Sequence, residues 1–287
     1  MAKNQEERVI LSCVDGSELS ESVVDYGVFL SHRLGISLEL FHAIEHDHLP
    51  SKINFSGNLT LGARDDLLEE LVSEEELMAR AQKAQSKAML LELKKHALEQ
   101  GAREVEVVWR HGGLYENLLE LKERLRVVVI GLRGRDHEGR LEVGSQVEEV
   151  IRSLHLPVLL VNRPFLEPRR VMIAYDGSQN SQKALEMVAS APLFGEVERH
   201  LVNVHQELAL SKRLLEEASK VIAGRIKVVS ESLAGEAIEE ILAYQREHEI
   251  DVIAMGAFGH HRWREAIFGS FTSKMLAKSP VPLLLLR

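Results

Sequence analysis

Val127-Val-Val-Ile-Gly-Leu-Arg-Gly134 returns later in the chain as Asp251-Val-Ile-Ala-Met-Gly-Ala-Phe-Gly259. In both places a short apolar run with no polar alternation closes on Gly-x-x-Gly. Such a run suits a strand covered on both faces, as in a parallel sheet flanked by helices. After nine intervening residues each copy reaches a Gly-Ser pair, Gly144-Ser145 and Gly269-Ser270. Working outward, each copy is followed by a helical pattern and then by Leu156-Pro-Val-Leu-Leu-Val161 or Val281-Pro-Leu-Leu-Leu-Leu286. Each is preceded by an apolar run ending in Asp-Gly-Ser, Arg8-Val-Ile-Leu-Ser-Cys-Val-Asp-Gly-Ser17 and Arg170-Val-Met-Ile-Ala-Tyr-Asp-Gly-Ser178. Four landmarks in the same order twice make an internal repeat.

Between the landmarks, β-branched runs alternate with segments apolar at every third or fourth position, the pattern of βαβ units. The first half predicts strands near 8–14, 37–43, 104–110, 126–131 and 157–162, with helices near 18–34, 73–100, 114–124 and 144–154. The second predicts strands near 170–175, 199–205, 225–231, 250–256 and 281–286, with helices near 179–191, 208–223, 235–247 and 269–278. The fold expected is α/β: two tandem, doubly wound, open parallel sheets of five strands. The domains expected are 1–163, with an insertion at about 47–76, and 170–287. The linker at 164–169 lies in Arg163-Pro-Phe-Leu-Glu-Pro-Arg169, where two prolines interrupt both patterns. The insertion shows in the spacing, since Asp15 to Gly131 is about 36 residues longer than Asp176 to Gly256.

The bulk properties agree. The chain has 287 residues, 45% apolar and 28% charged, which suits two globular domains and neither disorder nor a membrane span. A net charge of -9 repels nucleic acid and anionic membranes, so a bound phosphate must be gripped locally. Cys13, the single cysteine, allows no internal disulfide and reads as a small buried hydrophobe. The polar start, Met1 to Glu7, lacks a secretory core, and the expected location is the cytoplasm.

In an open parallel sheet the ligand crevice lies at the carboxyl ends of the strands, where both Gly-x-x-Gly loops begin. Glycines let a phosphate approach the backbone, and a Gly-Ser pair opening a helix offers free N–H groups, a positive dipole end and a hydroxyl. The full pattern, Gly-x2-Gly-x9-Gly-Ser, uses Gly131, Gly134, Gly144 and Ser145, then Gly256, Gly259, Gly269 and Ser270. Tight turns with a serine cap are the structural alternative.

These loops, the Asp-Gly-Ser turns and the final Pro-led strands resemble the ATP-binding branch of the universal stress protein family, in tandem. The resemblance covers nearly the whole chain apart from the insertion and linker. It implies a Rossmann-like sheet of the adenine nucleotide alpha hydrolase type, with ATP (or AMP or ADP) at the strand ends and Mg²⁺ held mainly by the phosphates. Asp15 and Asp176 would then lie near the nucleoside, and the backbone of Ala43 and Val204 would meet adenine. Ala43 departs from the valine usual there. The resemblance also implies pairing through the last strands, here 157–162 with 281–286 as a pseudo-dimer within the chain, and it allows a homodimer.

Other residues carry competing readings. Asp15 and Asp176 suit a turn with a helix cap as well as a nucleoside contact. Arg133, Arg135, Arg140, Arg262 and Arg264 could neutralise phosphates or line a solvated loop. His42, His46 and His48, and the pair His260-His261, lack a ligand set and read as crevice or surface polar groups rather than metal ligands. Trp109 is expected in the core or an interface, and the amphipathic helix at 73–100 packs on the sheet with a charged outer face. No phosphate-loop motif, dinucleotide fingerprint or nucleophile elbow occurs. The expected function is a nucleotide-dependent regulatory switch read by an unidentified protein partner, with no catalytic residue and at most slow ATP hydrolysis. A slow ATPase or phosphotransfer enzyme, and an interaction scaffold with vestigial sites, are the alternatives.

Overall fold

The structure, a computed structural model, describes residues 8–44, 61–132, 144–190, 195, 197–256 and 270–286, with backbone alone at 61–76 and Ser270. The first half runs β1 (Val9–Cys13), α1 (Ser20–Leu34), β2 (Leu38–Ile44), α2 (Leu61–Glu99), β3 (Val105–His111), α3 (Leu114–Leu121), β4 (Leu125–Gly131), α4 (Ser145–Ser153) and β5 (Val158–Val161). The second runs β6 (Arg170–Ala174), α5 (Gln179–Ser190), β7 (Glu198–Val204), α6 (Leu208–Ile222), β8 (Val229–Leu233), α7 (Ala237–Glu247), β9 (Val252–Gly256), α8 (Ser270–Lys278) and β10 (Leu283–Leu286).

All ten strands join one sheet in the order β3-β2-β1-β4-β5-β10-β9-β6-β7-β8. Every pairing is parallel except β5 with β10, where Leu160, Leu159 and Val158 face Leu283, Leu284 and Leu285. The two leucine-rich strands expected to bring the halves together therefore form an antiparallel seam. Strand direction reverses across it, so the carboxyl ends of the two half-sheets face opposite edges of the molecule.

Helices cover both faces. On β4, Val127 and Val129 pack with Val23 and Val24 of α1 and Leu90 and Leu93 of α2. The alternating Val128 and Ile130 pack with Leu118 of α3 and Val150 of α4. The second half repeats this with α5 and α6 on the first face and α7 and α8 on the other. This two-sided cover is why these strands read as unbroken apolar runs.

The segment between the halves is pinned. Phe165 meets the ring of Tyr26 edge-on at 4.8 Å, and the Tyr26 hydroxyl donates to the Leu166 carbonyl at 3.4 Å. Asp251 accepts from the backbone N–H groups of Arg169 and Arg170 at 2.8 and 3.0 Å. Asn162 donates across the seam to the carbonyls of Ser279 and Val281.

Three expectations need correction. The third strand of the second half lies at Val229–Leu233 rather than 225–231, because Ile226 and Val228 pack against the core from the connector that precedes it. The long helix starts at Leu61, not 73; its acidic stretch is built from Glu, Leu and Asp, of which Glu and Leu are strong helix formers. Trp109 is 37% exposed on the sheet's edge strand, with the Lys83 ammonium 4.7 Å over its ring, and is not a core residue.

Candidate nucleotide crevices

Each half brings its Asp-Gly-Ser turn to the carboxyl end of its first strand. Asp15 follows β1, and its Oδ1 accepts from the Ser17 N–H at 3.0 Å and the Ser20 hydroxyl at 3.3 Å. The Ser20 hydroxyl in turn accepts from the Gly16 N–H at 3.0 Å. Asp176 follows β6, and its Oδ1 accepts from the Ser178 N–H at 2.9 Å. Gly16 and Gly177 sit at φ of 80° and 77°, which only glycine adopts without strain. Burial pushes the Asp176 carboxyl up, but hydrogen bonds from Ser178 and Ser181 outweigh it and hold it below the ordinary range.

The aspartates close turns but do not cap helices. Ser178 caps α5, its hydroxyl accepting from the Ser181 N–H at 3.2 Å, while α1 begins after Leu19 with no side-chain cap. The carboxylates are thus held within their turns at the strand ends rather than spent on a helix end.

Register places the loop glycines beside these turns. Cys13 pairs with Ile130, one residue before Gly131, and Ala174 pairs with Met255, one before Gly256. Gly144 precedes α4 with φ of -59°, and Ser145 is that helix's first residue. A Cβ on Gly144 would meet Val147 Cγ2 at 3.8 Å, so among the described residues neither packing nor φ demands glycine there. Gly256 differs, because a Cβ would lie 2.7 Å from both the Asn180 carbonyl carbon and the Ser181 nitrogen. That glycine has a packing role, letting the first turn of α5 rest on β9. Gly134, Gly259 and Gly269, with Arg133, Arg135, Arg140, Arg262, Arg264, His46, His48 and His260-His261, lie outside the described residues.

Ala43 and Val204 occupy matching places at the ends of β2 and β7, each half-buried. Beside them is a correspondence that motif reasoning missed. His42 Nδ1 lies 2.8 Å from the Val14 carbonyl oxygen, and Asn203 donates to the Tyr175 carbonyl at 2.6 Å. In both halves the polar side chain just before Ala43 or Val204 ties the second strand to the residue preceding the aspartate. The signal was a polar residue at the same repeat position of the second strand.

Among the described residues no group of three or more His, Cys, Asp or Glu side chains could hold a metal ion, and no helix is long and apolar enough to cross a membrane. Cys13, the last residue of β1, is buried, which pushes its thiol up and keeps it protonated.

The fold defines a class: a tandem, doubly wound α/β protein with an Asp-Gly-Ser turn at the carboxyl end of the first strand of each parallel half-sheet. The chain belongs to the universal stress protein family, which matches residues 7–162 and 191–287. It is 31% identical over 290 residues to Universal stress protein Slr1230 of Synechocystis sp., covering 97% of this chain and 99% of that one. Among solved structures it is similar to a universal stress protein of Archaeoglobus fulgidus DSM 4304, with TM-score 0.73, 22% identity and 98% and 99% of the two chains covered. It is also similar to a universal stress protein of Pseudomonas aeruginosa UCBPP-PA14, with TM-score 0.63, 14% identity and 98% and 94% covered. These two structural likenesses bear on the fold.

Proposed function

We propose that the chain is a nucleotide-dependent regulatory protein that binds ATP, or another adenine nucleotide, in its two crevices. The observation that carries this is at Gly144-Ser145, where a helix N-terminus opens behind a glycine that its described surroundings do not require. The sequence repeats the motif in the second half, where the Asp176 turn occupies the corresponding place.

In this reading the backbone of Ala43 and Val204 meets adenine, Asp15 and Asp176 approach the ribose, and the Gly-x2-Gly-x9-Gly-Ser segments hold the phosphates. Mg²⁺ is carried by the phosphates. No described group is placed as a general base, so occupancy rather than turnover is the signal, and a partner protein in the cytoplasm reads it. The carboxyl ends of the two half-sheets face opposite edges, so the two occupancies would communicate through the shared sheet.

The test is the adenine nucleotide content of protein purified without added ligand, for wild type and for Gly134→Val and Gly259→Val. Near two nucleotides per chain, with one lost in each variant, supports the proposal. No nucleotide in any sample, and none taken up with ATP and Mg²⁺, would reduce the loops to structural turns.

A further inference from the structure

Helix α2 has two apolar faces, and the sheet covers one. Ser86, Leu90, Leu93 and Ala97 are buried against the half-sheet. About 140° around the helix axis, Leu77, Leu91 and Leu98 are 62%, 54% and 45% exposed. Ala81, Ala84 and Ala88 continue this outer stripe and are exposed as well.

The spacing of the stripe is that of a coiled-coil seam. Leu77, Ala84, Leu91 and Leu98 recur every seven residues, and Ala81 and Ala88 fall four after the first two, giving a 3.5-residue repeat. Lys95 takes the last inner position, reaching Glu99 of its own helix at 3.7 Å. The alanines let a second helix approach closely.

The flanking charges choose the occupant. Arg80, Lys87 and Lys94 line one margin of the stripe, and Gln85, Glu92 and Glu99 the other. In a parallel, in-register pair each residue of the first margin meets the partner's residue five positions later. That sets Arg80 against Gln85, Lys87 against Glu92 and Lys94 against Glu99, on both sides of the seam. An antiparallel pair would set the basic margin against itself. The stripe points away from the sheet, so two whole chains fit on opposite sides of the helix pair.

We infer that α2 is a self-association surface, pairing with α2 of a second copy of this chain as a parallel coiled coil over 77–98. This interface is separate from the β5–β10 seam and from both crevices, and it does not rest on nucleotide binding.

The test is sedimentation velocity of the full chain across a concentration series reaching about 100 μM, with variants. Wild type is expected to show a concentration-dependent monomer–dimer equilibrium. Leu91→Glu, at an exposed position, should keep the wild-type melting temperature and weaken association about 100-fold, since it buries two carboxylates in the seam. Lys87→Glu should weaken it about tenfold, and Lys87→Glu with Glu92→Lys should restore it. Leu98→Cys should oxidise to a disulfide-linked dimer, which needs parallel helices; the native Cys13 is buried. A wild type that stays monomeric, a dimer indifferent to Leu91→Glu, or a Leu98→Cys protein that links only to a Leu77→Cys chain would overturn the inference.

Discussion

Gly256→Ala tests whether the strand-end glycine of the second half is there for packing. The added Cβ would stand 2.7 Å from two backbone atoms of Asn180 and Ser181, about 0.7 Å inside ordinary van der Waals contact. Neither atom is the end of a flexible side chain, so relief requires the first turn of α5 to move off β9. Such overpacking costs about 1–3 kcal/mol. For a chain of this size each kcal/mol moves the melting temperature by about 2–4 °C, giving an expected fall of about 2–12 °C. Thermal unfolding with and without ATP and Mg²⁺ reads it, and the loss should appear in both, because the clash exists without ligand. Gly144→Ala is the counterpart: its φ suits alanine and its nearest described neighbour is 3.8 Å away, so stability should stay within about 0.5 kcal/mol while retained nucleotide falls. An unchanged melting temperature in Gly256→Ala would refute the packing argument.

Leu160 is 1% exposed in the antiparallel seam, and Leu160→Ala should cost about 2–5 kcal/mol in urea unfolding; a loss below about 1 kcal/mol would mean the halves do not depend on that contact. Ser178→Ala removes the cap of α5 and should cost about 1 kcal/mol, measured the same way, and no loss would remove the capping role. His200 is 3% exposed, with Nδ1 2.8 Å from the Tyr244 hydroxyl and Nε2 3.2 Å from Glu198. Burial outweighs the Glu198 carboxylate and holds this imidazole below the ordinary histidine range. The unfolded chain therefore takes the extra proton first: the histidine's contribution is complete above about pH 6.5 and lost as pH falls through the lower folded value. His200→Gln should lose less stability than wild type between about pH 7.5 and about pH 5.5, and equal losses would sink the argument.

Repetition carried much of the fold. Val127–Gly131 and Val252–Gly256 could be assigned as buried parallel strands because cover on both faces removes polar alternation, and that property is local to the run. The turns at Asp15 and Asp176 were legible for a similar reason, since a carboxylate two residues before a serine N–H, with glycine between, closes a turn within its own few residues. Other features depended on neighbours distant in sequence. Gly256 has a packing role that its motif does not announce, because α5 lies on it. For Trp109 the core and an interface both stayed open, because nothing in its strand says that β3 is an edge. His42 and Asn203 gained a role only when β1 and β6 brought carbonyl oxygens against them. The outer stripe of α2 was present as a heptad all along, but its exposure became known only once the sheet had taken the opposite face. Local spacing determines which strands and turns form; which faces remain uncovered, and which glycines are held by packing, depends on what the folded chain sets against them.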